Sequence, residues 1–494
     1  MNNFNNQIKK LGDSTMFHMS LGSKELFHSN FLHWISITNW DVFLEIMHDL
    51  SDTRRFWWED ICDCYNKNYH PNNNNIEVRR EYHNFDLSIY ILDSEKPAKE
   101  NKQTNDRGSK DESIIYTKGE SMVRKWIPVL ILENKMKSLP YKEQLERYTQ
   151  KAFEEWCTGE IIRKEAKKCQ NNNEFVSKGG ITFILLSLMK PNLDKYTFTK
   201  NKPFQRSKYK LTLTGEWVYK TYQELLVSLN NYCKKFKEEL DKLIVDDYCE
   251  FVSSLCELAN NYWIIRSNES YRLQIFPWEL DNIKDAEGKR KEIKEYQHLR
   301  IHDIHEKLLY DQLLSMLEHE LEIEGYRDRV RRLSRESFQE QIDTEEKEKV
   351  RLFTNSSYAH GVGIFEVQYI LSKSFRPEKK ELFKLIIQVQ GDRYCHMVVY
   401  DNIVDAKNKS INMTVLNSAW EDNLKPQQGT IDKYISLPNS NDTDTVLEIK
   451  LNNKFGKYGE NLIYQYAEIP PTATVQNVID AIVNDINKIT EWFK

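Results

Sequence analysis

The chain has 494 residues, enough for about two to four domains with a large apolar core. Its composition, with 40% apolar and 29% charged residues, is ordinary for a soluble protein. The net charge of -5 excludes a global basic field, so any nucleic-acid binding must use a local basic surface.

The chain contains no run of about 18 consecutive apolar residues, which predicts that it does not span a membrane. Its N-terminal residues also lack the apolar segment of a signal peptide. The eight cysteines are scattered, and the C-x-C pair of Cys62 and Cys64 has no second Cys or His pair at a zinc-like spacing. We therefore expect reduced thiols in a cytoplasmic protein.

The first predicted elements are helical and then extended. Residues 15–50 carry apolar side chains at helical spacing, which predicts helix. The stretches IEVRREY and FDLSIYIL, which begin at Ile76 and Phe85, predict two antiparallel strands that turn near His83 and Asn84.

An α/β core is predicted to continue to about residue 230. Residues 93–121 are polar and charged and predict a surface insertion, largely disordered. A buried strand, WIPVLILEN, follows, then a helix over residues 141–156 and a second buried strand, ITFILLSL. A short strand then leads into a helix in GEWVYKTYQELLVSL. This order predicts a mixed sheet flanked by helices over residues 1–230.

The remaining chain divides by pattern into two further regions. Residues 231–353 are predicted to be mainly helical, with the amphipathic stretch IHDIHEKLLYDQLLSMLEHEL as the clearest case. Residues 354–494 predict a β-rich domain that closes with a helix over 475–493. The strands of this domain are predicted in GIFEVQYIL, LFKLIIQVQG, RYCHMVVYD, SINMTVLN, TVLEIKLN and NLIYQYAEI.

The chemistry is concentrated where the strand VLIL runs into Glu133, Asn134 and Lys135. Side chains two residues apart on a strand point to the same side, so the carboxylate of Glu133 and the ammonium group of Lys135 are expected to lie near each other. Asp86 opens the strand FDLSIYIL. If the two strands are neighbours, Asp86 and Glu133 can hold a hard cation such as Mg²⁺ through oxygen ligands. Lys135 would then lie beside the attacking water or the scissile phosphate.

Two further features adjoin this pattern. Gln144 and Tyr148 are four residues apart, hence on one face of the following helix. Glu25 lies in the first predicted helix, three residues before His28, and could supply another carboxylate.

This arrangement resembles the PD-(D/E)xK nuclease superfamily. In that family an acid follows the first core strands and an E-x-K or D-x-K ends the next strand, as Asp86 and Glu133-Asn134-Lys135 do here. The Q-x-x-x-Y of its RecB-like members matches Gln144 and Tyr148. The segment KELFHSNFLHWI is similar to the opening helix of a prokaryotic branch of the family. Phe85 stands where the family pattern has proline.

The resemblance implies a restriction-endonuclease-like core over about residues 15–230 and a metal-dependent hydrolysis of phosphodiester bonds. Asp86, Glu133 and Glu25 would bind Mg²⁺ or Mn²⁺, and Lys135 would polarise the water. Gln144 and Tyr148 would position the substrate. DNA is favoured over RNA as the substrate. Defence against phage or foreign DNA is implied by the resemblance alone. A homo-oligomer, and a protein or ligand partner for the C-terminal domain, stay open.

Each of these interpretations has a plainer alternative. E-x-K recurs elsewhere in this charged chain, so Glu133 and Lys135 could form a solvated surface ion pair worth about 0–1 kcal/mol. Gln144 and Tyr148 could belong to an ordinary amphipathic helix, and His28 could be a hydrogen-bonded structural histidine. At the level of function, the alternative is a catalytically silent nucleic-acid-binding or ligand-sensing regulatory protein on the same fold.

Two other clusters carry competing chemistry. His302 and His305 flank an acid on a predicted helix, but they lack the four-residue spacing of helical zinc ligands. Arg327, Arg331 and Arg332 belong to a basic cluster that could bind phosphates. Acidic residues follow this cluster at once, so a solvated charged face is the competing interpretation.

Overall fold

The structure, a computed structural model, describes residues 3–20, 24–54, 56, 59, 75–97, 112–117, 120–140, 142–156, 180–190, 197–203, 210–276, 296, 298–324, 330–332, 351–359, 362–376, 379–402, 435–438, 446–449, 456–458 and 462–492. The chain forms two compact units. The N-terminal unit is Asn6–Ala259, and the C-terminal unit is Asn260–Lys494 together with Met1–Asn5.

This division differs from the three regions that the sequence predicted, with boundaries after residues 230 and 353. The middle region is shared between the two units and does not form a compact body of its own. The physical reason is that isolated helices must bury their apolar faces against another layer. Helices beyond residue 230 therefore pack into whichever unit lies next to them in sequence.

The N-terminal unit contains helices at both ends and one helix between its strands. They are α1 (Asn3–Asp13), α2 (Thr15–Ser20), α3 (Lys24–Thr38), α4 (Trp40–Ser51), α5 (Lys142–Trp156), α6 (Tyr222–Tyr232) and α7 (Glu239–Tyr262). The first three residues of α1 and the last three of α7 are assigned to the C-terminal unit. The helices predicted over residues 15–50 and 141–156 are confirmed, whereas α1 was not predicted. None of the helices in the described ranges has both the length and the apolar composition that crossing a bilayer requires.

Seven described strands of this unit form one mixed sheet, which confirms the predicted α/β core. The strands are β1 (Ile76–Tyr82), β2 (Phe85–Pro97), β3 (Glu112–Thr117), β4 (Glu120–Lys135), β5 (Thr182–Ser187), β6 (Thr197–Pro203) and β7 (Lys210–Thr221). Their order is β1-β2-β4-β5-β7-β6, and β3 pairs with β4. The pairs β4–β5 and β5–β7 are parallel, and the others are antiparallel.

The two elements that the sequence described best are the central strand and the first hairpin. The apolar run of β4, from Val129 to Leu132, is fully buried because the strand is central and covered on both faces. Between β1 and β2, Tyr82 pairs with Phe85 across a two-residue turn. His83 and Asn84 have φ values of 56° and 69°, the left-handed backbone that such hairpin turns require. The predicted turn is therefore confirmed.

The prediction of a largely disordered insertion over residues 93–121 is wrong for both of its ends. Strand β2 extends to Pro97, and β3 pairs with β4 from Glu112↔Lys125 to Thr117↔Glu120. Residues 98–111 lie outside the described part of the chain. The polar composition of this stretch led to a prediction of disorder. Strands pair through hydrogen bonds of the backbone, however, and a polar sequence supplies these groups as well as an apolar one.

Helix α5 is fixed on the sheet by a close approach at Gly215 in β7. A Cβ atom at Gly215 would lie 2.7 Å from Cγ2 of Thr149 on α5. The hydroxyl of Thr149 accepts a hydrogen bond from Nε1 of Trp217, at 2.8 Å. Two residues further along the helix, Lys151 donates to the carbonyl of His83 at 2.8 Å. These contacts hold the helix that carries Gln144 and Tyr148 in one position.

On the opposite side of the core, His28 of α3 lies in an aromatic cluster. It is 1% exposed, and its Nδ1 lies 2.7 Å from the hydroxyl of Tyr248 on α7. Its ring packs edge-on against those of Tyr222 and Tyr248. Burial lowers the pKa of His28 to about 3. These contacts support the interpretation of His28 as a hydrogen-bonded structural histidine.

The C-terminal unit has a sheet of seven described strands in the order β15-β16-β12-β11-β10-β9-β8, with a separate β13–β14 pair. Among the strands that the structure describes in this sheet, β8 and β9 pair in parallel and the other neighbours are antiparallel. The strands are β8 (Val330–Arg332), β9 (Arg351–Ala359), β10 (Val362–Arg376), β11 (Lys379–Gln390), β12 (Arg393–Asn402), β13 (Ile435–Pro438), β14 (Val446–Ile449), β15 (Gly456–Tyr458) and β16 (Leu462–Glu468). Five of the six strands predicted in this region are present, and the stretch 410–417 lies outside the described residues.

The helices of this unit are α8 (Tyr271–Ile275), α9 (Ile301–Ile323) and α10 (Val475–Trp492). Helix α9 packs on β9, β10 and α10, which explains why its buried residues occur on more than one side. The turn between β11 and β12 is held at Gly391, whose N–H donates to Tyr310 and whose carbonyl accepts from Tyr271. The predicted closing helix is confirmed as α10.

The close approach at Gly215 predicts a steric coupling with Thr149. Gly215→Ala should lower the free energy of unfolding by about 1–3 kcal/mol, because the new methyl group overpacks the interface. Thr149→Ser removes the opposing methyl group and keeps the hydroxyl that binds Trp217. The double variant should therefore lose less stability than the sum of the two single losses. Denaturant unfolding of the four proteins measures this, and strictly additive losses would contradict it.

The buried His28 predicts acid sensitivity of the N-terminal unit. Its folded pKa of about 3 lies below the unfolded value of about 6.5, so the unfolded chain binds more protons between these pH values. The contribution of His28 to stability is complete above about pH 6.5 and is lost as the pH falls. By pH 5 the loss should be about 1–2 kcal/mol. Denaturant unfolding at pH 5 and pH 7 should show a smaller pH dependence for His28→Gln, and an unchanged dependence would refute this explanation.

Candidate active site

The pairing of β2 with β4 brings the two predicted acids together. In this antiparallel pair Leu87 lies opposite Leu132, so the same register, continued by one residue, sets Asp86 opposite Glu133. Directly opposed residues in an antiparallel pair point to the same face of the sheet. The two carboxylates, 47 positions apart in the sequence (133 − 86), therefore share one sheet face at the end of β4.

Backbone and side-chain groups of the E-x-K segment hold both acids. The backbone N–H of Asn134 donates to Oδ2 of Asp86 at 2.6 Å. On Glu133, Oε1 accepts from Nζ of Lys135 at 2.6 Å. The two side chains of this ion pair are only 1% and 11% exposed. The pair is therefore buried, and the alternative of a solvated surface ion pair does not describe it.

Helix α5 covers this face and adds two groups. Nε2 of Gln144 donates to Oε1 of Glu133 at 3.2 Å and lies 3.1 Å from the hydroxyl of Tyr148. Burial and the negative charge of Glu133 raise the pKa of Tyr148, an effect that Asp86 adds to and Lys135 opposes. The charges of Asp86, Glu133 and Lys135 thus all act on the hydroxyl of Tyr148. The tyrosine stays protonated at neutral pH and can act as a hydrogen-bond donor, but not as a base.

The structure thus brings together five of the residues that the sequence singled out: Asp86, Glu133, Lys135, Gln144 and Tyr148. A buried ion pair is costly to desolvate and gives little net stability by itself. Two strands and a helix nevertheless direct charged and polar groups to one point. This concentration of buried charge in one place is typical of a functional site.

The side chains of the remaining predicted residues are all outside the described part of the chain. Glu25 is in the first turn of α3, and its side chain is outside the described residues. Arg327 is also outside them. Arg331 and Arg332 belong to β8, a strand of the C-terminal unit, and their side chains are not described.

The histidine pair on α9 has a structural explanation. His305 is fully buried, with its ring stacked on that of Trp263 at 5.6 Å. Burial lowers the pKa of His305 to about 3. His302 instead lies 3.0 Å from a carboxylate oxygen of Asp303. These contacts fit core packing rather than metal coordination.

The donor chemistry of the site can be compared with the ions that the resemblance implies. Among the described residues, no group of three or more His, Cys, Asp or Glu side chains is arranged to hold a metal ion. Asp86 and Glu133 supply two carboxylates without a nitrogen or sulfur ligand. Mg²⁺ is commonly held by one or two carboxylates and completes its shell with water, so this oxygen-only pair fits Mg²⁺ and does not fit structural zinc.

Two residues in contact with the site were missed by sequence reasoning. The hydroxyl of Tyr222, the first residue of α6, donates to Oδ1 of Asn134. Asn134 was noted only as the middle residue of E-x-K. The two residues are 88 positions apart, and nothing in either local pattern links them. Only the parallel order β4-β5-β7, which ends in α6, could have suggested their proximity.

Comparisons of this chain with protein-family models, curated proteins and solved structures find no match. The case for a function therefore depends on the residues and contacts described above. Within the chain, the observation that bears most directly on function is the partly buried site formed by Asp86, Glu133, Lys135, Gln144 and Tyr148.

Proposed function

We propose that this chain is a metal-dependent nuclease with a restriction-endonuclease-like core, acting on phosphodiester bonds, with DNA favoured over RNA. The observation that carries the proposal is the shared position of Asp86 and Glu133 on one sheet face beside Lys135. Gln144 and Tyr148 complete a partly buried polar site on that face. Defence against phage or foreign DNA is part of the proposal on the basis of the resemblance alone.

Each side chain would have a distinct task. Asp86 and Glu133 would hold Mg²⁺ or Mn²⁺, which when bound supplies charge neutralisation and polarisation of the phosphate. Lys135 keeps a positive charge beside Glu133, where it would stabilise negative charge that develops on the phosphate and the attacking water. A lysine in this position acts through its charge, because an ammonium group cannot ligate a cation.

The two residues of α5 would act on orientation. Gln144 donates to Glu133 and so restricts the direction in which that carboxylate points. Tyr148, whose pKa is raised by burial and by Glu133, stays neutral and would donate a hydrogen bond to a phosphate oxygen. Both roles depend on α5 being fixed to the sheet at Gly215 and Lys151.

The second candidate is a protein that binds nucleic acid on the same fold without cutting it. The observation that favours it is the 2.6 Å ion pair, which already provides Glu133 with a positive partner. The two candidates differ in one measurable respect. A nuclease needs both carboxylates to bind a divalent cation, whereas a silent binding protein does not.

The first prediction of this proposal is that Mn²⁺ stabilises the protein through Asp86 and Glu133. If the cation binds only the folded state, a free concentration of about one hundred times its Kd should add about 2.7 kcal/mol to the free energy of unfolding. Asp86→Asn and Glu133→Gln should each abolish most of this gain, because each replaces a carboxylate ligand by an amide. Thermal unfolding in Mn²⁺, Mg²⁺ and EDTA measures it.

The matched control is Glu154→Gln, which changes an exposed acid on α5 that hydrogen-bonds to Gln150. It should keep the full stabilisation by Mn²⁺. Equal stabilisation in all four proteins would mean that the cation binds elsewhere, and no stabilisation of the wild type would remove the metal from the proposal.

The second prediction separates the charge of Lys135 from metal binding. Lys135→Met keeps the length of the side chain and removes the ammonium group. It should retain Mn²⁺ binding but cut about 10²–10³-fold more slowly, because one electrostatic group at the reacting centre is lost. In the absence of metal, the variant should also have a lower free energy of unfolding than the wild type. The reason is that the buried carboxylate of Glu133 loses the ammonium group with which it pairs on its own strand.

The assay incubates wild type and Lys135→Met with duplex DNA, single-stranded DNA and RNA, each with Mg²⁺, Mn²⁺ or EDTA. Cleavage of any substrate by the wild type, with loss in EDTA, is the expected result. Cleavage by Lys135→Met at the wild-type rate would remove Lys135 from the mechanism. Binding without cleavage by the wild type would instead favour the silent binding protein.

A further inference from the structure

The two faces of the sheet at the end of β4 carry different chemistry. Side chains alternate along a strand, so Glu133 and Lys135 point towards α5 while Asn134 points to the opposite face. There the hydroxyl of Tyr222 donates to Oδ1 of Asn134. Both residues are fully buried. A polar contact therefore lies directly behind the candidate active site, on the far side of the same strand.

Asn134 links this rear contact to the acids. Its side chain is held by Tyr222, and its backbone N–H donates to Oδ2 of Asp86 at 2.6 Å. Its peptide nitrogen is bonded to the carbonyl carbon of Glu133. A rotation of this residue would therefore move the donor that holds Asp86 and the attachment of Glu133 at the same time.

Tyr222 is itself held in a fixed direction. It begins α6 directly after β7, behind the N-cap Thr221, whose side chain and backbone form a capping box with Glu224. Its ring packs edge-on against that of His28 at 4.9 Å. His28 is in turn hydrogen-bonded to Tyr248. The hydroxyl of Tyr222 thus projects from a helix terminus and an aromatic cluster that leave it little freedom.

We infer that Tyr222 and Asn134 are positioning residues, which fix the separation and direction of the Asp86 and Glu133 carboxylates from the opposite face of the sheet. This inference rests on the proposed function. A buried polar pair gives little net stability compared with apolar packing, so its place behind the E-x-K segment favours a role in orientation. Groups that orient metal-binding carboxylates typically change metal affinity 10–100-fold when removed.

The test is isothermal titration calorimetry of Mn²⁺ into the full chain and its variants, with thermal unfolding in EDTA measured in parallel. Tyr222→Phe removes only the hydroxyl that binds Asn134. Tyr394→Phe is the matched control, because it removes the hydroxyl of an equally buried tyrosine that donates to Asp485 of the C-terminal unit. Tyr222→Phe should bind Mn²⁺ about 10–100-fold more weakly than the wild type, and Tyr394→Phe should bind with unchanged affinity.

Asn134→Ala provides the second variant. It removes the acceptor for Tyr222 and keeps the backbone N–H that binds Asp86. It should weaken Mn²⁺ binding by a similar factor, and the double variant with Tyr222→Phe should be no weaker than either single variant, since both changes break the same hydrogen bond. If Tyr222→Phe does not fold, the loss of affinity in Asn134→Ala carries the test alone.

The outcomes separate this inference from the proposed function. Wild-type affinity in Tyr222→Phe and Asn134→Ala, or an equal loss of affinity in Tyr394→Phe, would overturn the positioning role while leaving the metal site in place. A wild-type chain that binds no Mn²⁺ would overturn the metal-dependent function itself, and the positioning role with it.

Discussion

The antiparallel register between β2 and β4 is the constraint on which the candidate active site depends. Asp86 and Glu133 face the same way only because Leu87 lies opposite Leu132. A slip of one residue would turn one of the two carboxylates to the other face of the sheet. The register is itself fixed by burial, since the apolar residues of β4 have no solvent-exposed alternative.

Burial also explains why the polar groups at this strand end are so closely paired. A charge taken out of water must be matched by an opposite charge or by hydrogen bonds. Lys135 and Gln144 pair with Oε1 of Glu133 on one sheet face, and Tyr222 donates to Oδ1 of Asn134 on the other. The end of β4 is thus a layered polar centre within an apolar sheet. Such a centre restricts the directions in which its carboxylates can point.

The supporting structure extends well beyond these residues. Helix α5 approaches β7 so closely that Gly215 leaves no room for a side chain. The aromatic cluster around His28 joins α3, α6 and α7 behind the sheet. Sites built on strands and packed helices are more rigid than sites on loops. The geometry of the candidate site is therefore a property of the whole N-terminal unit.

The sequence by itself determined the elements whose signal is local. Apolar periodicity and turn chemistry predict three such elements. They are the strand that carries Glu133, the hairpin turn at His83 and Asn84, and the helix that sets Gln144 and Tyr148 on one face. Only the tertiary structure decided the contacts between distant segments. These contacts are the burial of the Glu133–Lys135 pair, the placement of β3, the contact of Tyr222 with Asn134 and the division into two units. Each depends on pairing between distant segments, and such pairing produces no periodic pattern in the sequence of either segment.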